Sequence, residues 1–577
     1  MKLFKSKLVA GTLCLVMALS LGACGSNSGD SATSTTPTKA VDDSVIPKEL
    51  TELTMYSQVA NFSGEQIGWA AEILKDKFNV KFNIINEIDG TFATRMAAGN
   101  LGDIVIFGSD GDQYMQAVEA GFLFDWEEDN LVQDYGPDIY ANMSEALDKN
   151  RRISGDMLYG FGYDVGQNKD DHGAFFYYPE LRWDLYEKIG KPEINTLEDF
   201  IPVLEQMVAL EPTNENGNKT YAASLFPDWD GDMVMMVKST AALYGYDEFG
   251  FGLYDTKTQT YEDCLKDGGM YLRCLKFYNT LYQKGLFDPD SMTQNFNDMN
   301  EKYVNGAAMF NVFSWMAQPF NSPEHKEAGK VMMPIAAKDQ KNIAYGLNVF
   351  GNERVWTIGA NTNYPELCMT IINYFCTPEG VLTYFYGPKG LTWDYDANGD
   401  TYLTELGLTA QQTKDKTPIS YGSYNGMYKD GEFQFNNTTW AQDAKNSDSA
   451  SGESFNYSFW KSTVANKPVT DIEKSWQEFT GYPNEDEYLL GNGHYSLNIG
   501  SGFSKGVRDA ELEATWVQIK EAIKAGSWSA IYAKTDTEFD SIVAKMVSDV
   551  NAYGYDKCVT WCQEQAALRK VAEDKVK

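Results

Sequence analysis

Aromatic rings beside carboxylates are the side chains of this sequence whose types and spacing point to chemistry. Trp229 stands between Asp228 and Asp230, and Trp315 follows a short apolar run at 310–313. Flat aromatic rings stack on the apolar C–H face of a sugar ring, whereas carboxylates and amides bond its hydroxyl rim. We therefore predict that Trp229, Asp230 and Trp315 bind a ring-shaped, hydroxyl-rich ligand. The alternative is the edge of a core, where a tryptophan after a strand is also common.

A second aromatic set lies in the stretch 421–460, among many Gly, Asn, Ser and Asp residues. Rigid aromatic side chains among adaptable polar ones are typical of binding loops. We predict that this stretch extends the ligand site through Trp440, Tyr457 and Trp460. The alternative is an irregular surface insertion.

Patterns for catalysis are weak by comparison. The chain has three histidines, and none lies in an H-E-x-x-H arrangement. Residues 502–506 match G-x-S-x-G, but that triad needs a histidine after the serine, and the last histidine is His494. We therefore expect a binding protein that is not an enzyme. A glycosidase, which needs only two carboxylates around a sugar, is the alternative that 82 acidic residues leave open.

One segment matches the calcium-loop pattern D-x-[DN]-x-[DN]-G-x5-E. Its candidate metal ligands are Asp394, Asp396, Asn398, Asp400 and Glu405. The same segment suits a plain hairpin, because Asn-Gly between two tyrosines is a strong turn signal. A structural Ca2+ is one expectation and the hairpin is the other; no further cofactor is expected.

Alternating strand and helix patterns must position these residues. Strand-like runs at 53–57, 80–84 and 103–107 enclose segments with helical spacing at 66–78 and 91–98. This order predicts a parallel sheet with covering helices, in which ligands meet the loops at the carboxyl ends of strands.

Two of those strand-end loops are polar. Gln58 follows the first strand, and Asp110, Asp112 and Gln113 follow the third. We predict that these four side chains bind ligand. The alternative for Asp112 is a cap on the helix that starts near Tyr114.

A second α/β region follows, and it carries both candidate tryptophans. Its expected strands are 222–226, 310–313, 331–335 and 354–358. Its expected helices are 181–189, 196–210, 234–244, 269–284 and 365–375.

The amino-terminal stretch has the layout of a secretory signal. Three lysines precede an uncharged apolar run at 8–21, which is too short to span a bilayer permanently. The small residues before Cys24 resemble a bacterial lipobox, which implies that Cys24 carries lipid, including palmitate. The alternative is an ordinary signal with an accidental cysteine. We assign 1–23 to the signal peptide and the Ser/Thr-rich 24–48 to a flexible tether.

Charge and cysteine content limit the partners and the cross-links. The formal net charge is −34 and no basic patch stands out, so we expect no nucleic acid partner. The chain has eight cysteines, and those beyond Cys24 lack the spacing of a disulfide framework or a zinc site. We expect them to be buried free thiols.

The order of these features resembles the extracellular solute-binding lipoproteins of carbohydrate ABC transporters, the maltose-binding-like group. Besides the lipobox, the matching features are Gly102-Asp103-Ile104-Val105-Ile106, Asn305-Gly306-Ala307-Ala308-Met309 leading to Trp315, Met333-Pro334-Ile335, Ile358-Gly359-Ala360-Asn361 before Pro365-Glu366, and Thr377-Pro378-Glu379-Gly380.

The resemblance implies an α/β fold of two lobes, of the periplasmic-binding-protein or Venus flytrap type, with hinge strands and an enlarged C-terminal part. Lobe one would comprise 49–164 plus 342–390, and lobe two would comprise 165–341 plus 391–577. Trp315 would be a stacking platform in the cleft between the lobes.

The resemblance also implies a function. The protein would capture a carbohydrate, an oligosaccharide, and deliver it to an ABC permease. It would be a monomer on the extracellular face of a Gram-positive type membrane, anchored through lipid on Cys24. A peptide-binding transporter protein is the alternative within binding, and the surface glycosidase is the alternative outside it.

Overall fold

The computed structural model describes residues 44–577 except 89, 170, 317, 467, 468, 504 and 507. The predicted signal peptide, Cys24 and most of the tether lie outside the described residues. Among the helices of the described part, none is long and apolar enough to cross a membrane.

The first part of the chain forms strands and helices in alternation. Its strands are β1 (Thr51–Ser57), β2 (Gly64–Glu65), β3 (Val80–Asn86), β4 (Ile104–Phe107) and β5 (Gly160–Gly162). Its helices are α1 (Trp69–Phe78), α2 (Thr91–Ala98), α3 (Asp112–Glu119), α4 (Leu131–Tyr135), α5 (Pro137–Asn142) and α6 (Ser144–Ile153). The predicted strands and the helix at 91–98 are confirmed. The helix expected from 66 begins later, because Gly68 has φ 99° and a Cβ there would lie 2.1 Å from the Cα of Gly431.

The second part begins with a strand, and the helix expected at 181–189 follows directly, from Trp183 to Lys188. Its strands are β6 (Tyr177–Arg182), β7 (Tyr246–Glu248), β8 (Gly252–Asp255), β9 (Thr260–Asp263), β10 (Phe310–Phe313), β11 (Met332–Pro334) and β12 (Asn342–Tyr345). Its helices are α7 (Trp183–Lys188), α8 (Phe200–Leu210), α9 (Met235–Ala242), α10 (Met270–Gln283), α11 (Phe296–Val304) and α12 (Pro323–Glu327). The run 222–226 is not a strand, since its neighbourhood forms only single bridges, Tyr221 to Ala308 and Ala223 to Phe287.

The remainder of the chain is longer and more helical. Its strands are β13 (Val355–Ile358), β14 (Trp393–Tyr395), β15 (Thr401–Leu403), β16 (Pro418–Tyr421), β17 (Tyr424–Met427) and β18 (Tyr495–Asn498). Its helices are α13 (Pro365–Tyr374), α14 (Pro378–Tyr386), α15 (Glu405–Gln412), α16 (Lys461–Asn466), α17 (Asp471–Thr480), α18 (Glu485–Gly491), α19 (Ala510–Ile531), α20 (Asp536–Ala552) and α21 (Tyr555–Val576).

Two sheets form the centres of two lobes. The first has the order β2-β3-β1-β4-β13-β5, with β1 parallel to β3 and β4 and with β13 antiparallel to β4 and β5. The second has the order β10-β6-β11 and is antiparallel. A mixed sheet and an antiparallel sheet, each with its own helices, give an α/β fold of two lobes.

Two large apolar cores correspond to these lobes. One contains buried residues from 53–165 and 347–460, and the other contains buried residues from 175–344 and 476–562. The predicted assignment of 391–577 to lobe two is therefore corrected for 391–460. Trp393, Phe455 and other large side chains of that stretch pack into the core of lobe one, so their burial there decides the division.

The cysteines of the described residues are free and buried, as expected. They are Cys264, Cys274, Cys368, Cys376, Cys558 and Cys562. Burial raises the pKa of the Cys274 and Cys368 thiols, which keeps both protonated and unreactive.

Candidate functional site

Two of the segments in which the chain passes between the lobes show which edges face each other. The segments 163–175 and 345–354 run antiparallel and share backbone hydrogen bonds. Gly166 N donates to Asn348 O at 2.9 Å, and Gly173 N donates to Tyr345 O at 2.9 Å. The loops that lie next to these two segments, at the edge of each sheet, therefore border the space between the lobes.

In lobe one that edge holds the carboxyl ends of β1 and β4. Val355 is the first residue of β13, directly after a crossing segment, and it pairs with Phe107 at the end of β4. Ser57 at the end of β1 pairs with Ile106. The loops after β1 and β4 thus lie where the crossing enters the sheet, as the rule for parallel strands predicts.

Gln58 and Gln113 come together at this edge, and we call them the amide pair. Gln58 Nε2 donates to Gln113 Oε1 at 2.7 Å, and Gln58 Oε1 accepts from the Gly108 N–H at 2.8 Å. The loops after β1 and β4 are therefore tied to each other by one side chain. Gln113 is exposed and Gln58 half-buried, so both amides meet solvent.

Tyr56 and Glu87 extend this polar edge toward β3. Tyr56 donates its hydroxyl hydrogen bond to Glu87 and accepts one from Gln58 Nε2 at 3.3 Å. Burial, reinforced by the bond to Glu87, raises the pKa of Tyr56 above its ordinary value. The phenol is thus a permanent donor and not a titrating group.

Asp110 already has a cationic partner. Its carboxylate lies 3.1 Å from Lys149 Nζ, and their side chains are only 14% and 10% exposed. Lys149 Nζ also donates to Gly351 O at 3.2 Å in the crossing segment. The pair therefore links the strand-end loop to the hinge. Asp112 is exposed and is the first residue of α3. The N-cap of that helix is Gly111.

In lobe two the corresponding edge is aromatic. Tyr177, the first residue of β6 after a crossing segment, pairs with Phe313 at the end of β10. Ser314 N then donates to Phe176 O at 3.1 Å, which holds Trp315 at the same edge.

The rings at this edge form one cluster, which we call the aromatic platform. Its members are Phe176, Tyr177, Phe226, Trp229, Phe296, Phe313 and Trp315. Trp229 stacks on Phe296 with ring centroids 4.6 Å apart, and Trp315 lies 5.9 Å from Trp229. Trp229 is 48% exposed and Phe176 is 44% exposed. Large exposed apolar rings grouped at one edge are typical of a ligand surface.

Sequence patterns miss five of the seven members of the platform, among them Phe176 and Phe296. Phe176 lies within a run of four aromatic residues, 175–178, in which it is exposed while Phe175 and Tyr178 are buried. Phe296 is the first residue of α11, and only the tertiary fold brings it to Trp229.

Asp230 is already used by the fold. Its two carboxylate oxygens accept from Met235 N at 2.8 Å and from Trp528 Nε1 at 2.7 Å. Burial raises the pKa of Asp230, and these two hydrogen bonds oppose the rise. Asp230 therefore fixes the loop that carries Trp229, and direct ligand contact by Asp230 stays a prediction.

The predicted extension of the site through 421–460 is corrected for its tryptophans. Trp440 and Trp460 are 3% and 0% exposed in the core of lobe one. Their indole N–H groups donate to Cys376 O at 2.7 Å and to Ser454 O at 2.8 Å. Tyr457 is half-buried and packs edge-on against Tyr386 at 5.7 Å. The two tryptophan rings stabilise lobe one and present no stacking face to a ligand, whereas ligand contact by the half-buried Tyr457 stays a prediction.

The calcium-pattern segment folds as a hairpin of β14 and β15. Asp396 Oδ1 accepts from Asn398 N and Asp400 N, and Asp400 pairs with Lys461 at 3.2 Å. Across the described residues, no group of three or more His, Cys, Asp or Glu side chains is arranged to hold a metal ion. Calcium binding here stays a prediction, which metal analysis of protein purified without chelator tests.

Comparison with known proteins gives a family and a set of similar folds. The family described as bacterial extracellular solute-binding proteins matches residues 69–392. Lipoprotein LipO of Bacillus subtilis strain 168 is 24% identical over 241 residues, which cover 40% of this chain and 41% of LipO. The match thus spans less than half the length of that relative.

Two solved structures are similar over most of the chain. One is an HMO-binding, ABC-transporter-associated solute-binding protein from Bifidobacterium longum infantis ATCC 15697, with TM-score 0.55 and 13% identity, covering 90% of this chain and 99% of that one. The other is the substrate-binding protein FusA of S. pneumoniae in complex with kestose, with TM-score 0.53 and 15% identity, covering 91% and 100%. Identities of this size show likeness of fold.

Proposed function

This chain belongs to the family of bacterial extracellular solute-binding proteins, and we propose that it captures an oligosaccharide between its lobes and delivers it to an ABC permease. The observation that carries the proposal is the pairing of two unlike edges at the crossing. Lobe two presents the aromatic platform, and lobe one presents the amide pair.

The two edges match the two faces of a sugar. The exposed ring of Trp229 and the half-buried ring of Trp315 offer flat apolar surfaces to the C–H face of a pyranose. The Gln113 amide carries N–H donors for sugar hydroxyls, and the amide oxygens of Gln58 and Gln113 carry acceptor lone pairs, whereas the Gln58 N–H groups already bond Gln113 and Tyr56. Because one surface is on each lobe, a bound sugar would contact both and would favour their closure.

The structural comparisons support carbohydrate as the ligand class. One of the similar proteins is described as HMO-binding, and another is described in complex with kestose. Both share this fold along almost their whole length. We further propose that the protein binds its glycan without catalysing a reaction, since the family and the similar structures are binding proteins.

Anchoring through Cys24 is a separate part of the proposal. The family is extracellular, and the relative LipO is a lipoprotein. The lipobox-like sequence before Cys24 supports a lipid attached at its thiol. We expect Cys24→Ala to move the protein from the membrane fraction to the medium. Retention of that variant in the membrane fraction would show that lipid on Cys24 is not the anchor.

Calorimetric titration tests the ligand class. The panel is maltotetraose, cellotetraose, nystose and lacto-N-tetraose, with tetraalanine and a mixed-sequence tetrapeptide as the opposing class. We expect saturable binding of at least one glycan, with a change in Trp emission, and recovery of that glycan intact. Binding of the peptides alone, or hydrolysis of the glycan, would overturn the proposal.

A further inference from the structure

A cavity lies at the junction of the lobes, next to the crossing segment 163–175. It has a volume of about 790 Å3 and takes its walls from both lobes. Residues of 443–464 line it from lobe one, residues of 484–490 line it from lobe two, and 171–174 form part of its surface from the crossing. A cavity of this size lies within the roughly 300–1,000 Å3 range of small-molecule sites.

The cavity and the aromatic platform share one stretch of chain. Ala174 lines the cavity, and Phe176 of the platform follows two residues later. Two residues of extended chain span at most about 7 Å. A ligand of several sugar rings is long enough to occupy both places.

The lining of the cavity combines an aromatic ring with polar groups, as the two cleft edges do. Phe459 lines the cavity and is 39% exposed. Asp443 is held in place, because its carboxylate accepts from Ala174 N at 3.1 Å and from Asn456 Nδ2 at 2.8 Å. The protein itself therefore positions the Asp443 carboxylate in the cavity wall.

The charges of the lining favour an uncharged ligand. Five carboxylates line the cavity against two lysines. One of those lysines, Lys461, already pairs with Asp400 at 3.2 Å. Sugar hydroxyls can donate to carboxylates, whereas a uronate would meet groups of its own charge, which disfavours binding.

From this we propose that the cavity holds one end of an uncharged oligosaccharide whose other rings lie on the aromatic platform, and that it excludes acidic glycans. The inference rests on the proposed function and adds to it a minimum length and a charge class. The site thereby selects longer neutral chains over disaccharides and over uronates.

Filling the cavity tests the length requirement. Ala174 is exposed, and Ala174→Trp places a large side chain in the cavity while leaving the backbone N–H for Asp443. We expect the panel tetrasaccharide that binds best to lose affinity at least about tenfold. Its disaccharide counterpart should change less than about twofold, which also shows that the variant is folded. Ala544→Trp, on the exposed side of α20, is the matched control and should change neither value.

Phe459→Ala is the second variant, chosen because a truncated exposed ring leaves the fold intact. It should lower the affinity for the tetrasaccharide more than the affinity for the disaccharide. If both variants leave the affinity for the tetrasaccharide unchanged, or lower the affinities for both sugars equally, the cavity is not part of the ligand site. That result would leave the proposed function standing.

Tetragalacturonate tests the charge class on the unmodified protein. We expect its affinity to be at least about a hundredfold below that of the neutral tetrasaccharide. Equal affinity for the two would overturn the charge selection alone. Binding of no glycan, neutral or acidic, would overturn the proposed function and this inference with it.

Discussion

At the scale of single residues, Trp315 carries the stacking prediction, because its ring sits at the platform beside Trp229 and Phe313. We expect Trp315→Ala to lower affinity for the best-bound glycan about tenfold or more, since a stacked ring is lost. Calorimetric titration measures this. Trp561→Ala is the matched control, because Trp561 is also half-buried but packs on Trp516 among the C-terminal helices. Equal effects of the two variants would contradict the assignment.

The Asp486 side chain destabilises the folded state when its carboxyl group is ionised. Burial raises the pKa of Asp486 to about 6, and the charges of Glu485 and Asp443 add to the rise. The Phe175 N–H and His172 oppose it. Because the unfolded pKa is about 4, the native state binds the proton more tightly, and stability falls as pH rises from about 4 to about 6.

Asp486→Asn removes this charge while keeping an oxygen that can accept from the Phe175 N–H. We expect the variant to melt at a higher temperature than the unmodified protein at pH 7.5 and to lose most of that advantage at pH 4.5. Thermal unfolding followed by circular dichroism at both pH values measures the difference. A difference in melting temperature that does not vary with pH would contradict the raised pKa.

At the scale of elements, α21 is joined to lobe two by a buried charge network. Arg569 Nε donates to Glu573 Oε1 at 2.8 Å, and its Nη1 donates to Asp247 Oδ2 at 3.0 Å. Tyr345, at the start of a crossing segment, donates to the other oxygen of Asp247 at 3.0 Å. The last helix therefore supports the strand from which the hinge leaves lobe two.

We expect Arg569→Met to lower the free energy of unfolding by about 3 kcal/mol or more, because the buried Glu573 and the half-buried Asp247 lose their cation. Lys570→Met is the matched control on the next residue. Lys570 pairs with Asp574 at 2.9 Å with both side chains more than 40% exposed, so its loss should cost less than about 1 kcal/mol. Urea unfolding compares the two. Similar values would mean that the buried network adds no stability.

Regular elements of lobe one could be predicted because their apolar spacing is local. The runs at 53–57 and 80–84 became β1 and β3, and their order placed Gln58 correctly at a carboxyl end. The stretch 391–460 has no such period. Its aromatic residues are buried through contacts with distant side chains, such as Tyr386 against Trp460, which composition does not show.

The candidate site could be predicted only where strand order decides position. The amide pair follows from two neighbouring parallel strands. The use of Asp230 could not be predicted, because its partner Trp528 lies 298 residues further along the chain. For the same reason Phe296 joined the platform only in the structure, whereas ligand contact by Trp315 stays a prediction.

At the scale of the whole molecule, the two lobes have separate cores joined by a few crossing segments of chain. Buried residues divide between the lobes, and segments 163–175 and 345–354 connect them. Hinge closure around a ligand is the expected motion of such an arrangement. A ligand that contacts only one lobe would bind open and closed forms equally and shift nothing.

Small-angle X-ray scattering of the mature chain tests closure. A compact chain of this size has a radius of gyration of about 24 Å. We expect saturation with the best-bound tetrasaccharide to lower it by about 1 Å, since the amide pair and the aromatic platform are drawn together. Trp315→Ala under the same glycan concentration should show little change, because fewer molecules are occupied. An unchanged radius at full saturation, established by calorimetry on the same sample, would mean that the glycan is held by one lobe alone.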